Sequence, residues 1–378
     1  MINVTKSYLG NKVKFHAYVD RIFSSGWMTN HGPLATALEE RLKDYLGVRN
    51  IVLTSNGTVA LQVAYRALDV AGSAITTPFS FVATTSTLEW AGIEPVFADI
   101  DSRTWNLDPC EIESSLRPDT TAIVATHVFG NPCDVTAIDA IARRHRLKTI
   151  YDGAHAFAVR HRGQSVLNWG DLSTLSFHAT KLFHTIEGGA IVTNDDALAA
   201  KVRELCNFGI IDVDRIGGPG INAKLNEFAA AMGLCVLDDI ETILEQRAEI
   251  GNRYERALGD YFDLQQLQAD SERNHSYFPV ALQDEMELVR SRTILNQIGI
   301  NPRRYFYPSL DTLAYLQPQV PQARSRALSR RVLCLPIYPG LPREVQDSVI
   351  STMVRCALGT RTTGLVAFAP ALAPPLAS

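Results

Sequence analysis

The sequence predicts an α/β fold with a large, mostly parallel sheet domain and a smaller C-terminal α/β domain. Between residues 50 and 195, short apolar runs alternate with segments of helical periodicity. Chains in which strands and helices alternate fold as mostly parallel sheets. Clusters of polar residues follow several of the apolar runs. Because ligands of such sheets bind beyond the carboxyl ends of the strands, we expect one pocket assembled from distant segments.

The apolar runs define the predicted strands, at residues 50–54, 73–77, 94–100, 121–127, 147–151, 172–177 and 190–193. Helices between them are predicted at residues 58–68, 83–91 and 135–145. The turn signal Ser55-Asn56-Gly57 separates the first strand from its helix. This order of elements is typical of repeated strand–helix units.

A long helical pattern at residues 226–258, broken near Asp238 or Asp239, is predicted to lead into the second domain. That domain would hold strands at residues 276–282 and 332–336. The predicted limits are 1–237 for the large domain and 238–363 for the small one. Residues 364–378 are rich in Ala, Pro and Leu, and we expect a poorly ordered tail because proline opposes a helix.

The composition is that of a globular protein without a nucleic-acid partner. Hydrophobic residues make up 46% of the 378 residues, enough for a substantial core. The 36 basic and 40 acidic residues give a net charge of -4, so the chain has no basic surplus for binding a nucleic-acid backbone. The composition does not exclude a local cationic pocket for one nucleotide. No apolar stretch reaches the roughly 20 residues of a membrane span, and residues 1–7 lack the pattern of a signal peptide. A cytoplasmic location is expected.

Neither the cysteines nor the histidines predict a metal site. The six cysteines form no CxxC pair and have irregular gaps, so we expect reduced structural thiols and no disulfide framework. His127, His178 and His184 fit no zinc pattern and are expected to be neutral and packed or hydrogen-bonded. His155 is the exception, since it lies one helical turn from Asp152.

Residues 54–58, Thr-Ser-Asn-Gly-Thr, join a predicted strand to the start of a helix. Exposed backbone N–H groups and the helix dipole make such a junction a natural seat for a phosphate group. The alternative is an N-capped helix after a turn, without a ligand. The segment alone does not decide between them.

Asp152 stands immediately after an apolar strand, where a carboxylate is costly unless it has a partner. A pyridinium nitrogen would be a suitable partner, and holding it protonated makes the ring an electron sink. The alternative is that Asp152 caps a following helix.

Lys181 lies between a strand end and the pair Gly188-Gly189, in a segment with few other charges. Lysine is usually a solvated surface group, but a confined lysine has a lowered pKa and can form a Schiff base. The two glycines indicate a tight backbone passage near a ligand.

These motifs resemble those of the DegT/DnrJ/EryC1/StrS family of sugar-nucleotide aminotransferases, which depend on pyridoxal 5'-phosphate (PLP). The match comprises the run Asp-Gly-Ala-His-Ala at 152–156, Lys181, and Glu-Gly-Gly-Ala at 187–190. It extends to residues 25–33, similar to the family's N-terminal substrate-side motif. Residues 78–84 are similar to its cofactor-stacking segment, and residues 220–227 to the segment that crosses to the partner subunit. The resemblance covers residues 8–360 and implies the PLP-dependent aminotransferase fold of type I.

The resemblance also implies a role for each site residue. Lys181 would form the Schiff base with the cofactor and then shuttle protons, and Asp152 would pair with the pyridinium nitrogen. His155 would contact the ring or its 3-oxygen, and Phe81 would stack on the opposite ring face. The phosphate would be held by Gly57, Thr58 and Ser176, together with Asn56 at a position where the family more often has serine. Asn222 would reach the phosphate from the second subunit. The substrate would be contacted by Trp27, Met28, Thr29 and Asn30.

The activity implied by the resemblance is transfer of an amino group from L-glutamate to a nucleotide-linked 4-keto-6-deoxyhexose. The cofactor would alternate between PLP and pyridoxamine 5'-phosphate, in a homodimer with shared active sites. The run His-Ala-Thr-Lys at 178–181 resembles the dTDP-4-amino-4,6-dideoxyglucose branch. Where the family often has Tyr-Arg after its crossing asparagine, this chain has Ala223-Lys224.

Three alternatives stay open at this point. The first is a 3-keto-sugar aminotransferase, and the second is a PLP-dependent sugar dehydratase, whose relatives carry histidine at the position of Lys181. The third is a non-catalytic binding or regulatory protein on the same fold. Such a protein would be expected to lose Asp152 or Lys181, and both are present.

Overall fold

The computed structural model describes residues 1–317 and 319–359 and shows an α/β protein built on one large sheet. The strands, numbered in chain order, are β1 (Ile2–Asn3), β2 (Asn50–Thr54), β3 (Ser73–Thr76), β4 (Glu94–Phe97), β5 (Thr120–Thr126), β6 (Lys148–Asp152), β7 (Arg160–His161), β8 (Gln164–Ser165), β9 (Leu172–Ser176), β10 (Gly189–Thr193), β11 (Ile210–Asp212), β12 (Arg215–Ile216), β13 (Asp263–Leu264), β14 (Phe278–Ala281), β15 (Ile300–Asn301) and β16 (Val332–Leu335).

The helices are α1 (Lys12–Ser25), α2 (Pro33–Leu46), α3 (Gly57–Ala67), α4 (Val82–Trp90), α5 (Pro109–Ile112), α6 (Val135–His145), α7 (Asp196–Cys206), α8 (Glu227–Asp238), α9 (Ile240–Leu258), α10 (Glu285–Gln297), α11 (Ala323–Arg331) and α12 (Arg343–Ala357). None of the helices in the described ranges is long and apolar enough to cross a membrane. All six cysteines are free thiols, and only Cys110 is exposed. The predicted tail at residues 364–378 lies outside the described residues.

The large sheet has the strand order β2-β10-β9-β6-β5-β3-β4, and the predicted mostly parallel α/β fold is confirmed. Only β10 runs against its neighbours, pairing antiparallel with both β2 and β9. The other strands therefore end at the same edge. The central strands β5 and β6 are almost continuously buried, as expected of parallel strands covered by helices on both faces.

The predicted strands coincide with observed ones, with one clear difference in length. The strand predicted at residues 94–100 ends at Phe97. Beyond it, Ile100 forms an isolated antiparallel bridge with Leu107. Because β4 is an edge strand, Pro95 is tolerated within it without loss of a ladder hydrogen bond.

The predicted helical pattern at 226–258 consists of α8 and α9, divided at Asp239 as expected. Helix α8 is buried along most of its length and packs against α1 and α2 in the main core. Helix α9 leads into a second core, where Tyr254 and Leu258 contact the three-stranded antiparallel sheet β13-β14-β16. The predicted strands at 276–282 and 332–336 are β14 and β16.

The first residues of the chain join the second core. Strand β1 pairs in parallel with β15, and Ile337 donates its N–H to the carbonyl of Val4 at 3.0 Å. The predicted domain limits, 1–237 and 238–363, remain a prediction, and this pairing connects residues 2–3 to the second of the two parts.

Helix α2 is capped by a residue that is distant in sequence. Its N-cap, Gly32, has no side chain to offer, and the carboxylate of Glu227 accepts from the N–H groups of Leu34 and Ala35, both at 2.8 Å. Glu227 is only 2% exposed, and its own N–H donates to the carbonyl of Met28 at 3.0 Å. The carboxylate thus satisfies two of the orphan donors at this helix terminus.

We expect Glu227→Gln to lower the free energy of unfolding by about 1–3 kcal/mol, since an amide NH2 placed against a backbone N–H leaves a buried donor unsatisfied. Urea unfolding followed by circular dichroism measures the change. Glu249→Gln, at an exposed position on α9, is the matched control and should unfold like the wild type. Equal effects of the two substitutions would contradict the capping role.

Candidate active site

A cavity of about 310 Å³ opens at the edge where β2, β6 and β9 end. The strands bring together segments that are far apart in sequence, as the α/β pattern predicts. Seven of the predicted site residues line it: Asn56, Gly57, Thr58, Phe81, Asp152, Ser176 and Lys181. His155, Asn222, Trp27, Met28, Thr29 and Asn30 are not among its lining residues.

Asp152 is the last residue of β6, and its carboxylate is buried and firmly held. Its Oδ2 accepts from Thr84 Oγ1 at 2.7 Å, and its Oδ1 accepts from the N–H of Ala154 at 3.1 Å. Turns, not a helix, follow the strand, so the alternative in which Asp152 caps a helix is wrong, and His155 is not placed by a helical turn. The two donors fix the plane of the carboxylate at the wall of the cavity.

Lys181 lies in the loop between β9 and β10, where its N–H donates to the carbonyl of His178 at 2.8 Å. Burial lowers the pKa of its amine to about 8, and the charge of Arg303 acts in the same direction, whereas the carboxylate of Asp152 opposes the shift. A far larger share of the amine is therefore neutral near neutral pH than in an ordinary lysine. A neutral amine is the form that attacks a carbonyl group.

The start of α3 closes tightly against the ends of its neighbouring strands. A Cβ added to Gly57 would stand 2.8 Å from the Cβ of Ser176, and one added to Gly189 would stand 2.6 Å from the carbonyl carbon of Asn56. Only glycine fits either position without a shift of the neighbours. The result is a concave cradle of backbone at a helix N-terminus, beside Thr58.

Asn56 confirms the N-cap interpretation of residues 54–58, and their role as a phosphate seat stays a prediction. Its Oδ1 accepts from the N–H of Val59 at 2.8 Å and so caps α3. The N–H groups of Gly57 and Thr58, in the first turn of the helix, have no intrahelical acceptor and lie at the cavity. The cap thus fixes the start of the helix without using these two N–H groups, and a helix N-terminus of this kind favours an anion.

His155 is buried among aromatic rings and does not line the cavity. Its ring stacks on Phe129 at 6.1 Å and lies 4.6 Å from the ring of Tyr277. Burial, and then the charge of Lys181, hold the pKa of His155 well below its usual value, so the ring is neutral. Its contact with a cofactor ring stays a prediction.

The other histidines largely behave as predicted. His127 is buried and stacked on Tyr151 at 4.8 Å, and burial lowers its pKa to about 3. His184 is buried and its Nε2 lies 2.7 Å from the carbonyl oxygen of Tyr8. His178 is exposed at the cavity and forms a hydrogen bond with Thr180 Oγ1 at 2.8 Å.

The predicted substrate and partner contacts lie outside this chain's own cavity. Trp27 to Asn30 are exposed, and Asn222 is exposed beside the isolated bridge that it makes with Asn207. Within one chain the structure does not bring them to Lys181. Their roles stay predictions.

The sequence reasoning missed four residues that shape the site. Thr84 holds the carboxylate of Asp152, and Tyr277, Arg303 and Tyr305 line the cavity from the second part of the chain. Tyr277 directly precedes β14, and Arg303 and Tyr305 follow β15; neither segment carries a recognisable motif. A conspicuous Arg-Arg pair at 303–304 was the only signal available.

A confined lysine beside a fixed carboxylate, at the strand ends of an α/β sheet and next to an anion cradle, defines the active site of a lysine-dependent enzyme. The chain belongs to the DegT/DnrJ/EryC1/StrS aminotransferase family, whose sequence profile matches residues 11–354. Its membership of this family identifies it as an aminotransferase.

Known relatives are similar over nearly the whole chain. A dTDP-4-amino-4,6-dideoxy-D-glucose transaminase of Shigella dysenteriae is 42% identical over 359 residues, covering 93% of this chain and 98% of the relative. An enzyme of the same description from Escherichia coli is 36% identical over 91% and 95%. The crystal structure of DesI in the presence of its TDP-sugar product superposes with a TM-score of 0.90 at 33% identity, covering 95% of this chain and 94% of that one.

The lowered pKa of Lys181 predicts its reactivity in the protein free of cofactor. Labelling by an amine-selective acylating reagent, quantified by mass spectrometry over a pH series, should rise through a midpoint near pH 8. Because Asp152 raises this pKa, Asp152→Asn should move the midpoint lower. A midpoint above pH 10 in the wild type would contradict the confinement of the amine.

Proposed function

We propose that this chain uses PLP to transfer an amino group from L-glutamate to C4 of a nucleotide-linked 4-keto-6-deoxyhexose, with dTDP-4-keto-6-deoxy-D-glucose as the first candidate. The observation that carries the proposal is the cavity in which Lys181 and Asp152 meet next to the glycine cradle of α3. The identity to two dTDP-4-amino-4,6-dideoxy-D-glucose transaminases along nearly all of the chain supports the sugar and the nucleotide.

The residues of the cavity fit the cofactor group by group. The cradle of Gly57, Thr58 and Ser176 would hold the phosphate, Asp152 the pyridine nitrogen, and Lys181 the aldehyde carbon. Phe81, which is 49% exposed and lines the cavity, offers an unpartnered ring face for the pyridine. When bound, PLP supplies an electron sink that makes exchange of amino groups possible.

Lys181 is the group that would move protons. Its amine is confined beside the reacting atoms, and its lowered pKa lets it gain and lose a proton near neutral pH. Asp152 is the group that would hold a proton in place on the ring nitrogen. Thr84 and Ala154 donate to its carboxylate and prevent it from turning away.

A homodimer with shared sites is part of the proposal. Asn222 follows the exposed hairpin β11–β12, on which Val213 is fully exposed and Ile216 is 74% exposed. Apolar side chains at the tip of a two-stranded hairpin favour burial against another surface. A second copy of the chain would cover them and bring Asn222 toward the phosphate cradle of its partner.

Lys181, Asp152 and the two relatives distinguish the proposed function from the three alternatives. Lys181 argues against a dehydratase that needs histidine there, and the presence of both Lys181 and Asp152 argues against a non-catalytic protein. The 3-keto-sugar alternative is disfavoured by the two relatives above, which are described as 4-amino enzymes. The carbon that carries the amino group in the product decides between C3 and C4.

We expect the PLP-loaded protein to convert dTDP-4-keto-6-deoxy-D-glucose and L-glutamate into a 4-amino sugar nucleotide and 2-oxoglutarate. A panel of 3-keto and 4-keto sugar nucleotides, with products assigned by NMR, measures the specificity. Lys181→Ala should bind PLP without a borohydride-trappable link and lose the transfer. Asp152→Asn should fold normally and be slower by orders of magnitude, since the ring nitrogen loses its anionic partner.

Three results would count against the proposal. Amination at C3 would overturn the position of transfer, and a trapped adduct on another lysine would overturn the role of Lys181. Turnover of Asp152→Asn near the wild-type rate would show that another group serves the ring nitrogen.

The shared site is tested by mixing two defective variants, Lys181→Ala and Asn222→Ala. If Asn222 reaches the partner's cavity, a mixed dimer carries both lesions in one site and none in the other. Activity should therefore recover to a measurable fraction after subunits exchange. An absence of recovery despite proven exchange, or a fully active monomer, would contradict the shared site.

A further inference from the structure

Arg303 is the one guanidinium among the described residues that line the cavity of Lys181 and Asp152. It forms no ion pair with any described carboxylate. Its polar contact is with the hydroxyl of Tyr305 at 3.4 Å, and its guanidinium lies 4.3 Å from the centre of the same ring. Its neighbour Arg304 is different, since it pairs with Glu285 at 2.5 Å and is not a lining residue.

The backbone of Arg303 is fixed, so the guanidinium emerges from a rigid position. Its N–H donates to the carbonyl of Cys334 at 3.1 Å, and the N–H of Cys334 donates back at 2.8 Å. Cys334 belongs to the buried strand β16. Tyr305, on which the guanidinium stacks, donates in turn to the hydroxyl of Tyr277 at 3.2 Å. A guanidinium that is held rigidly and forms no ion pair with the described residues can bind an anionic ligand without rearrangement.

We propose that Arg303 binds the α-carboxylate of the amino donor and thereby sets the specificity of the donor half-reaction. This inference rests on the proposed function. The cavity must accept an amino acid and a nucleotide sugar in turn, and both carry anions. With Asp152 directed to the ring nitrogen and Lys181 to the reacting carbon, Arg303 is the cation that remains.

Distance from the reacting atom favours the carboxylate over the diphosphate. In an amino acid, one carbon separates the carboxylate from the amino nitrogen. In a 4-keto sugar nucleotide, the sugar ring separates the diphosphate from the reacting C4. Arg303 lines the same cavity as Lys181, the residue proposed to hold the reacting carbon, and its charge lowers the pKa of that amine.

The binding test uses maleate, an unreactive dicarboxylate, titrated by calorimetry into the PLP-loaded protein. Arg303→Met should weaken binding by about 10- to 100-fold, the size expected for a lost charge-assisted pair. The affinity of Arg303→Lys for maleate should lie between those of the wild type and Arg303→Met. Lysine keeps the positive charge but lacks the paired N–H donors of the guanidinium. Arg304→Met is the matched control and should bind maleate like the wild type, because Arg304 pairs with Glu285 and does not line the cavity.

A second arm identifies which carboxylate is bound. Arg303→Met should slow single turnovers with L-glutamate. L-isoglutamine lacks the α-carboxylate, so its single turnovers should be slow in the wild type and should hardly change in Arg303→Met. Removal of the positive charge should also raise the pKa of Lys181, which shifts its pH-dependent labelling to higher pH.

The outcomes separate the possible roles. Weakened binding of thymidine diphosphate with unchanged binding of maleate would assign Arg303 to the nucleotide and overturn the proposal. Loss of maleate binding in Arg304→Met but not in Arg303→Met would overturn it as well. If Arg303→Met does not fold, Arg303→Lys and the wild-type preference for glutamate over isoglutamine decide. The experiments with maleate, L-glutamate and L-isoglutamine need no sugar. Failure to aminate any keto sugar would therefore count against the proposed function and not against this role of Arg303.

Discussion

The site depends on keeping a primary amine and a carboxylate together at the wall of one cavity. Burial alone would drive Lys181 toward its neutral form, and the carboxylate of Asp152 moderates that shift without cancelling it. The balance holds only while Asp152 stays in place, which the donors Thr84 and Ala154 ensure. Glycine at positions 57 and 189 is part of the same arrangement, because the missing side chains let α3, β9 and β10 pack closely against one another.

The sequence predicted the large sheet well because its strands are buried on both faces and therefore read as uninterrupted apolar runs. It could not predict the direction of β10, since an apolar run has the same composition in either direction. The short strand β1 was missed for a related reason, because two residues carry no period and the pairing partner lies at residues 300–301.

The same limit applies to the site. Asp152, Lys181 and the cradle of α3 follow strand ends, so the order of elements alone brings them to one edge. Arg303 and Tyr277 reach the cavity through the packing of the second part of the chain onto the first, which depends on long-range contacts. Thr84 was within a recognised motif, but its hydrogen bond to Asp152 joins positions on separate elements and leaves no mark in either segment.

That packing includes hydrogen bonds between the edge of the large sheet and the start of α11. Asp99, just beyond β4, accepts from the N–H groups of Arg324 and Ser325 at the start of α11, at 2.8 and 2.9 Å. The side chain of Gln322 donates to the carbonyl of Phe97 at 3.0 Å. Since α11 leads directly into β16, and β16 holds the backbone of Arg303, these bonds connect the edge of the large sheet to the cation in the cavity. The carboxylate of Asp99 therefore helps to position Arg303 relative to Lys181, although it touches neither of them.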